Sequence, residues 1–310
     1  MVKVIVATAS TADTRCWRDA IQAAMPECEV LAWEPGAEET SARYAAVWSP
    51  PDAFFQTETK LQAVFNLGAG VDHLLSLPSL PAVPLLRLED AGMAPQMAEY
   101  VIYNLARLTR GFDTYDAQQR RASWNPLSAV HHADWPVGVM GLGKLGSHVA
   151  AAVAAVGYPV AGWARSPRPS SGLVTFHGKN QLGDFLSRTR VLVNLLPLTP
   201  ETAGIINADL LSRLRPGAVV INIARGGHVV DTDLLAALDS GNVQAAVLDV
   251  FNQEPLPAHH PYWSHPKVRV TPHVSAITLE EDAVRQISER IRKLERGEPV
   301  GGVVDRVTGY

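Results

Sequence analysis

The chain has 310 residues and only two cysteines, Cys16 and Cys28. Two thiols in a chain this long make no disulfide framework, which fits a reducing compartment. Long apolar runs are missing as well. No window approaches the ~18 uninterrupted apolar residues that a membrane-spanning helix needs. The opening MVKVIVATAS reads as a first β-strand rather than a signal peptide. Neither sign of charge dominates: 27 Lys and Arg stand against 31 Asp and Glu, a net charge of −4. Such a chain has no global attraction for nucleic acid or an anionic membrane. Repeats, low-complexity tracts and charge blocks are absent. So is any cluster at metal-ligand spacing, and His131 and His132 read as surface-loop residues. The expectation is a cytoplasmic protein with no nucleic acid, membrane or metal partner.

What is present is a core-forming composition, 47% hydrophobic, patterned as alternating strands and helices. KVIVATA (3–9), AAVWSP (45–50) and AVFNLGAG (63–70) read as strands. A long amphipathic helix is expected from Met93 to about Arg121. Then come PVGVMG (136–141), YPVAGWA (158–164), VLVNLLP (191–197), AVVINIA (218–224), AAVLDVF (245–251) and VRVTPH (268–273). These segments are apolar on both faces, as buried parallel strands are. Strand and helix in alternation imply an α/β fold with two doubly wound, Rossmann-like parallel sheets. The expected boundaries are 1–95 plus 278–310 for one domain and 96–277 for the other. The C-terminal LEEDAVRQISERIRKLERGE would pack back on the first domain as a helix.

The chemistry begins at VGVMGLGKLGSHVAAAVAAVG (137–157), which holds Gly141-x-Gly143-x-x-Gly146. The motif directly follows an apolar strand and opens an Ala-rich helix, the context in which such glycines bind a dinucleotide. Gly141 permits the tight turn, Gly143 lets backbone approach a pyrophosphate, and Gly146 lets helix and strand pack closely. The helix N-terminus, with Lys144 and Leu145, offers N–H groups and partial positive charge to phosphate. The next strand runs into VAGWARSPRP (160–169). An NAD site puts Asp or Glu at this point to bind the ribose hydroxyls. Here there is no carboxylate between Trp163 and Phe176, and Arg165, Ser166 and Arg168 stand instead. Arginine attracts a 2′-phosphate and binds it bidentately, so the loop favours NADP(H) over NAD(H). Leu196, Pro197 and Ile223, at later strand ends, complete the expected cofactor contacts.

Three further strand ends deliver a cation, an acid and an imidazole. INIARGG (221–227) places Arg225, LDVFNQEPLP (248–257) places Glu254, and TPHVSA (271–276) places His273. Ligands bind at the carboxyl ends of such strands, and hydride transfer to a ketone needs these types. The cation anchors a carboxylate and polarises the carbonyl, the imidazole protonates the oxygen, and the acid orients the imidazole. Gly226 and Gly227 after Arg225 suggest close approach by a ligand.

With these motifs the sequence resembles the D-isomer-specific 2-hydroxyacid dehydrogenases. The matching segments are VMGLGKLG, NLLPLTPETAGIIN, RPGAVVINIARGGHVVDTDLL, AAVLDVFNQEPLP and TPHVSA, and the resemblance covers essentially the whole chain. NLGAGVDHLL, DAGMAPQMAEYV and VVDRVTGY look like the glyoxylate/hydroxypyruvate reductase A branch. The resemblance implies Arg225 as the substrate arginine, His273 as acid/base and Glu254 as its partner. It implies Asp249 at the nicotinamide carboxamide, backbone N–H groups of Gly68, Ala69 and Gly70 on the substrate carboxylate, and Trp48 lining the pocket. It also implies an active-site cleft between the domains and a homodimer built on the helix from Met93 and the QQRRASWNP loop. Trp124 reads as a packing or subunit contact, and the end near Tyr310 leaves no room for an appended regulatory domain. The reading is an NADPH-dependent reductase of glyoxylate and hydroxypyruvate. The alternatives are an NADP-linked dehydrogenase for a bulkier 2-oxo acid and a non-catalytic nucleotide-sensing protein of the same fold.

Overall fold

The computed structural model describes residues 1–167 and 172–309. Its contacts divide the chain into two units, Met1–Gly92 with Thr278–Tyr310, and Met93–Ile277.

The first unit opens with β1 (Lys3–Thr8), α1 (Thr11–Ala24), β2 (Glu29–Ala32) and β3 (Tyr44–Trp48). It continues with α2 (Asp52–Thr57), β4 (Ala63–Asn66), α3 (Asp72–Leu75) and β5 (Leu85–Leu86). The strands are parallel, in the order β2-β1-β3-β4-β5. The central strands are buried on both faces, as KVIVAT and AVFN are apolar at nearly every position. Ile5, Ala7, Val47 and Val64 pack there with Phe54, Phe55 and Leu74 of the helices. The order reverses between β1 and β3, which makes the carboxyl ends there the place for a ligand.

The second unit begins with α4 (Met93–Arg110) and α5 (Phe112–Arg120). The single helix expected from Met93 to about Arg121 is therefore two. Gly111 breaks it, with φ of 65° in the left-handed region, which glycine adopts without the cost a Cβ imposes. Then follow β6 (Val137–Met140), α6 (Lys144–Ala155), β7 (Val160–Ala164), β8 (Val174–His177), α7 (Leu182–Ser187) and β9 (Val191–Asn194). Next come α8 (Ala208–Ser212), β10 (Ala218–Asn222), α9 (Asp231–Ser240), β11 (Val243–Leu248) and β12 (Val268–Val270). All seven strands are parallel, in the order β12-β11-β10-β9-β6-β7-β8.

Alternate residues of each central strand serve opposite faces. Val191, Val193, Val219 and Ile221 face Val101 and Leu105 of α4 and Val149 and Val153 of α6. Leu192, Ala218 and Val220 face Phe185 of α7, Leu211 of α8 and Leu238 of α9. Gly138 of β6 is small because a Cβ there would lie 2.3 Å from Thr189 Oγ1 and 2.7 Å from the Phe185 ring. Strand order reverses between β6 and β9, so the carboxyl edge beside that point is where a dinucleotide would bind.

The chain then returns to the first unit as α10 (Glu280–Glu295). Its buried stripe is Ala283, Val284, Ile287 and Ile291. Arg290 fastens it, with Nη1 2.7 Å from the Arg87 carbonyl and Nη2 2.9 Å from Glu89.

Candidate active site

The turn after β6 is shaped by three glycines with different tasks. Gly141 has φ of 99°, and a Cβ on it would lie 2.6 Å from the Leu195 carbonyl oxygen. A Cβ on Gly146 would lie 1.8 Å from the Gly141 oxygen. These two glycines let strand and helix meet. Gly143 is different, since a Cβ there would have nothing within 4 Å. It caps α6 without a side-chain bond, and no acidic residue stands in the first turn. The helix therefore presents N–H groups and a positive dipole end to open space, with Lys144 exposed beside them. These residues fit a dinucleotide pyrophosphate.

β7 ends at buried Ala164, and Arg165 and Ser166 are exposed. Arg168 lies outside the described residues. Arg165 Nη1 is 3.7 Å from Glu201 Oε2, with the side chains 50% and 69% exposed. The strand-end loop lacks a carboxylate in sequence, yet the turn after β9 supplies one in space. An exposed pair is worth only about 0–1 kcal/mol, so a phosphate dianion can displace the acid.

Arg225, half-buried, follows β10, with Nη1 2.8 Å from the Ala224 carbonyl. The first of the two glycines after it has a reason to be glycine within the chain itself. A Cβ on Gly226 would lie 1.8 Å from Phe251 C and 2.3 Å from Asn252 N. Gly226 thus admits the protein's own backbone after β11, and Gly227 faces the Leu198 side chain.

That same backbone builds the acid–imidazole pair. Phe251 N–H donates to Glu254 Oε1 at 2.9 Å. Glu254 Oε2 is 2.8 Å from His273 Nδ1. The pairing assigns the Nδ1 proton to Glu254 and makes Nε2 the nitrogen that can pass a proton to another molecule. His273 has φ of 55°, a left-handed backbone that costs a non-glycine residue roughly 1–2 kcal/mol. Its N–H donates to the Asp249 carbonyl at 2.8 Å. Asp249 is fully buried, and its carboxylate accepts from Thr271 Oγ1, Val274 N and Ser275 N at 2.6, 2.9 and 2.9 Å. Among the described residues, no cluster of His, Cys, Asp and Glu could hold a metal ion.

In the first unit, Asn66 Nδ2 donates to the carbonyls of Gly68 and Gly70 at 2.9 and 2.8 Å. This fixes the 68–70 loop, Ala69 included, by its carbonyl side. Trp48 packs on Gly68, where a Cβ would lie 2.3 Å from the indole, and stands edge-on to His73 at 5.0 Å.

Residues 102–275 match the family model described as D-isomer specific 2-hydroxyacid dehydrogenase, NAD binding domain. The chain belongs to this family. It is 48% identical over 306 residues to glyoxylate/hydroxypyruvate reductase A of Escherichia fergusonii, covering 97% of each chain. It is similar over 100% of both chains to a D-isomer specific 2-hydroxyacid dehydrogenase from Xanthobacter autotrophicus in complex with NADPH and MES, at 41% identity and TM-score 0.93. The same coverage and TM-score of 0.93, at 39% identity, hold for the NADPH-dependent glyoxylate/hydroxypyruvate reductase of Sinorhizobium meliloti in complex with NADP and sulfate. The protein is thus an oxidoreductase with a nicotinamide-dinucleotide-binding domain.

Sequence reading missed the polar residues that shape this dehydrogenase's turns. Asn194 and Asn222 end β9 and β10, fully buried and paired in register. Asn194 Nδ2 donates to Asn222 Oδ1 at 3.0 Å, and Asn222 Nδ2 donates to the Arg225 carbonyl at 2.9 Å. Asn194 Oδ1 accepts from Leu196 N, and Asn222 Oδ1 from Ala224 N, both at 3.3 Å. The pair sets the turns that carry Leu196, Pro197, Ile223 and Arg225. Buried His228 ties them together, with Nδ1 3.0 Å from the Arg225 carbonyl and Nε2 3.2 Å from the Pro197 carbonyl. The available signal was an asparagine closing each of two otherwise apolar strands, VLVN and AVVIN.

Proposed function

We propose that this protein is an NADPH-dependent reductase of small 2-oxo acids, glyoxylate and hydroxypyruvate, to the 2-hydroxy acids. The observation that carries the reading is the 2.8 Å contact between His273 Nδ1 and Glu254, on the turn that packs against Gly226 beside Arg225. The 48% identity to a glyoxylate/hydroxypyruvate reductase supports the substrate class. We assign Gly141, Gly143, Lys144, Leu145, Gly146, Arg165, Ser166, Arg168, Leu196, Pro197, Ile223 and Asp249 to the cofactor, which supplies the hydride when bound. Trp48 and the N–H groups of Gly68, Ala69 and Gly70 are assigned to the substrate, so the first unit is the substrate-binding domain.

The chain's own residues do the rest. Arg225 grips the carboxylate and draws electron density toward the carbonyl oxygen. His273 delivers a proton from Nε2 to that oxygen. Glu254 holds the ring through Nδ1, which leaves Nε2 for that transfer. A panel of 2-oxo acids with NADPH tests the substrate class. The reading requires kcat/KM to be highest for the two- and three-carbon acids, and a clear preference for a bulkier acid would overturn it.

The cofactor preference rests on Arg165. A hydrogen bond to a charged group is worth roughly 1.5–3 kcal/mol, and 1.4 kcal/mol is tenfold. Arg165→Ala therefore raises KM for NADPH at least about tenfold and leaves KM for NADH nearly unchanged. Glu201→Gln, which removes the competing carboxylate, lowers KM for NADPH. Equal KM values for both cofactors in the parent enzyme would refute the assignment.

We also propose a homodimer in the cytoplasm. Trp124, 98% exposed, stands past α5 with exposed Tyr103, Phe112, Leu127 and Val130 around it in sequence, an apolar set that a second copy would cover. Sedimentation should give the mass of two chains, and Trp124→Glu should shift the equilibrium toward one; a monomeric parent would contradict this. Cys16 and Cys28 are unpaired, in keeping with a reducing compartment. Among the described residues, no helix is long and apolar enough to cross a membrane.

A further inference from the structure

The Glu254–His273 pair needs a turn that holds the imidazole, and its φ of 55° is a conformation that the surroundings must impose. The surroundings are a hydrogen-bonded chain beginning on α4. Tyr100 OH is 2.6 Å from Thr271 Oγ1, and Thr271 Oγ1 donates to Asp249 Oδ1 at 2.6 Å. Each hydroxyl has one proton. Since Thr271 spends its proton on Asp249, Tyr100 must be the donor to Thr271. The order is Tyr100 to Thr271 to Asp249, each link polarising the next. Burial pushes the Tyr100 phenol up to about 12, with the nearby Asp249 charge adding to it, so the phenol keeps the proton this order requires. Asp249 then accepts from the N–H groups of Val274 and Ser275, the two residues after His273. Its own carbonyl accepts the His273 N–H at 2.8 Å. The backbone is held on both sides of the strained residue.

We propose that Thr271 and Tyr100 are positioning residues for His273, acting through the Asp249 carboxylate. Neither is assigned to substrate or cofactor; both set where the imidazole stands. The kinetic consequence rests on the reductase reading given above, whereas the geometric one does not. Thr271→Val keeps the shape of the side chain and removes the hydroxyl. A displaced catalytic group costs up to about a hundredfold in rate, so this variant should lower kcat by about ten- to a hundredfold. Tyr100→Phe removes one outer hydrogen bond and should lower kcat a few-fold. Thr271→Ser restores a hydroxyl and should recover most of the loss.

The test pairs these kinetics with nuclear magnetic resonance of the imidazole groups in ¹⁵N-histidine-labelled enzyme, the His273 signal being identified by its loss in His273→Gln. The His273 resonances should shift in Thr271→Val and Tyr100→Phe and return in Thr271→Ser. Unmoved resonances in both variants would overturn the proposal whatever the substrate is. Shifted resonances in an enzyme that reduces no 2-oxo acid would support the positioning and sink the reductase reading. An active parent whose kcat survives Thr271→Val unchanged would overturn the catalytic part of the proposal.

Discussion

His273→Gln should lower kcat for glyoxylate reduction by about 10² to 10⁴, the usual worth of a positioned general acid, while NADPH still binds with parental affinity. The asymmetry follows from where His273 stands. It lies past β12, with Nδ1 on Glu254, whereas the glycine turn and Arg165 follow β6 and β7. Glutamine can still occupy the left-handed turn, but it has no proton to give at neutral pH. The pH dependence has a definite sign. Reduction takes up a proton and the reverse reaction releases one, so in the proposed mechanism kcat/KM for reduction falls with rising pH and that for oxidation of the 2-hydroxy acid rises. His273→Gln loses both limbs. Turnover within a few-fold of the parent would remove His273 from the mechanism.

Arg225→Lys should lower kcat/KM by at least about tenfold, with KM and kcat both damaged. Lysine keeps the charge but gives up the planar fork that holds a carboxylate at two points. One lost charged hydrogen bond is roughly 1.5–3 kcal/mol, and under the proposed function it bears on both states, since the same group would grip the substrate and polarise its carbonyl. The substitution also leaves the Ala224 carbonyl without its 2.8 Å guanidinium partner. Near-parental kinetics would mean that the carboxylate is held elsewhere.

What the sequence makes legible follows burial. β1, β3, β4, β6, β7, β9, β10 and β11 stand inside the sheets, and their near-continuous apolar runs announce them. The strands that sequence reading passes over are β2, β5 and β8, all sheet edges. Edge strands are short and less apolar: β5 has two residues, and β8 is partly exposed throughout. The break at Gly111 escapes notice because no proline stands near it and a lone glycine is tolerated within a helical pattern. At the site, Arg225, Glu254 and His273 can be found because each follows a recognisable strand. Glu201 beside Arg165 and Phe251 over Gly226 cannot, since each contact joins loops of different strands. A pair of glycines reads the same whether a ligand or the chain's own backbone comes close.

The most direct test of hydride transfer uses NADPH bearing deuterium at the transferable C4 position, incubated with the enzyme and glyoxylate. Mass spectrometry of the product should find one deuterium on C2 of glycolate, delivered at a rate that His273→Gln lowers by about 10² to 10⁴. Glycolate without deuterium, or NADPH that binds and is never consumed with any 2-oxo acid, would contradict the account and leave a nucleotide-binding protein without the chemistry.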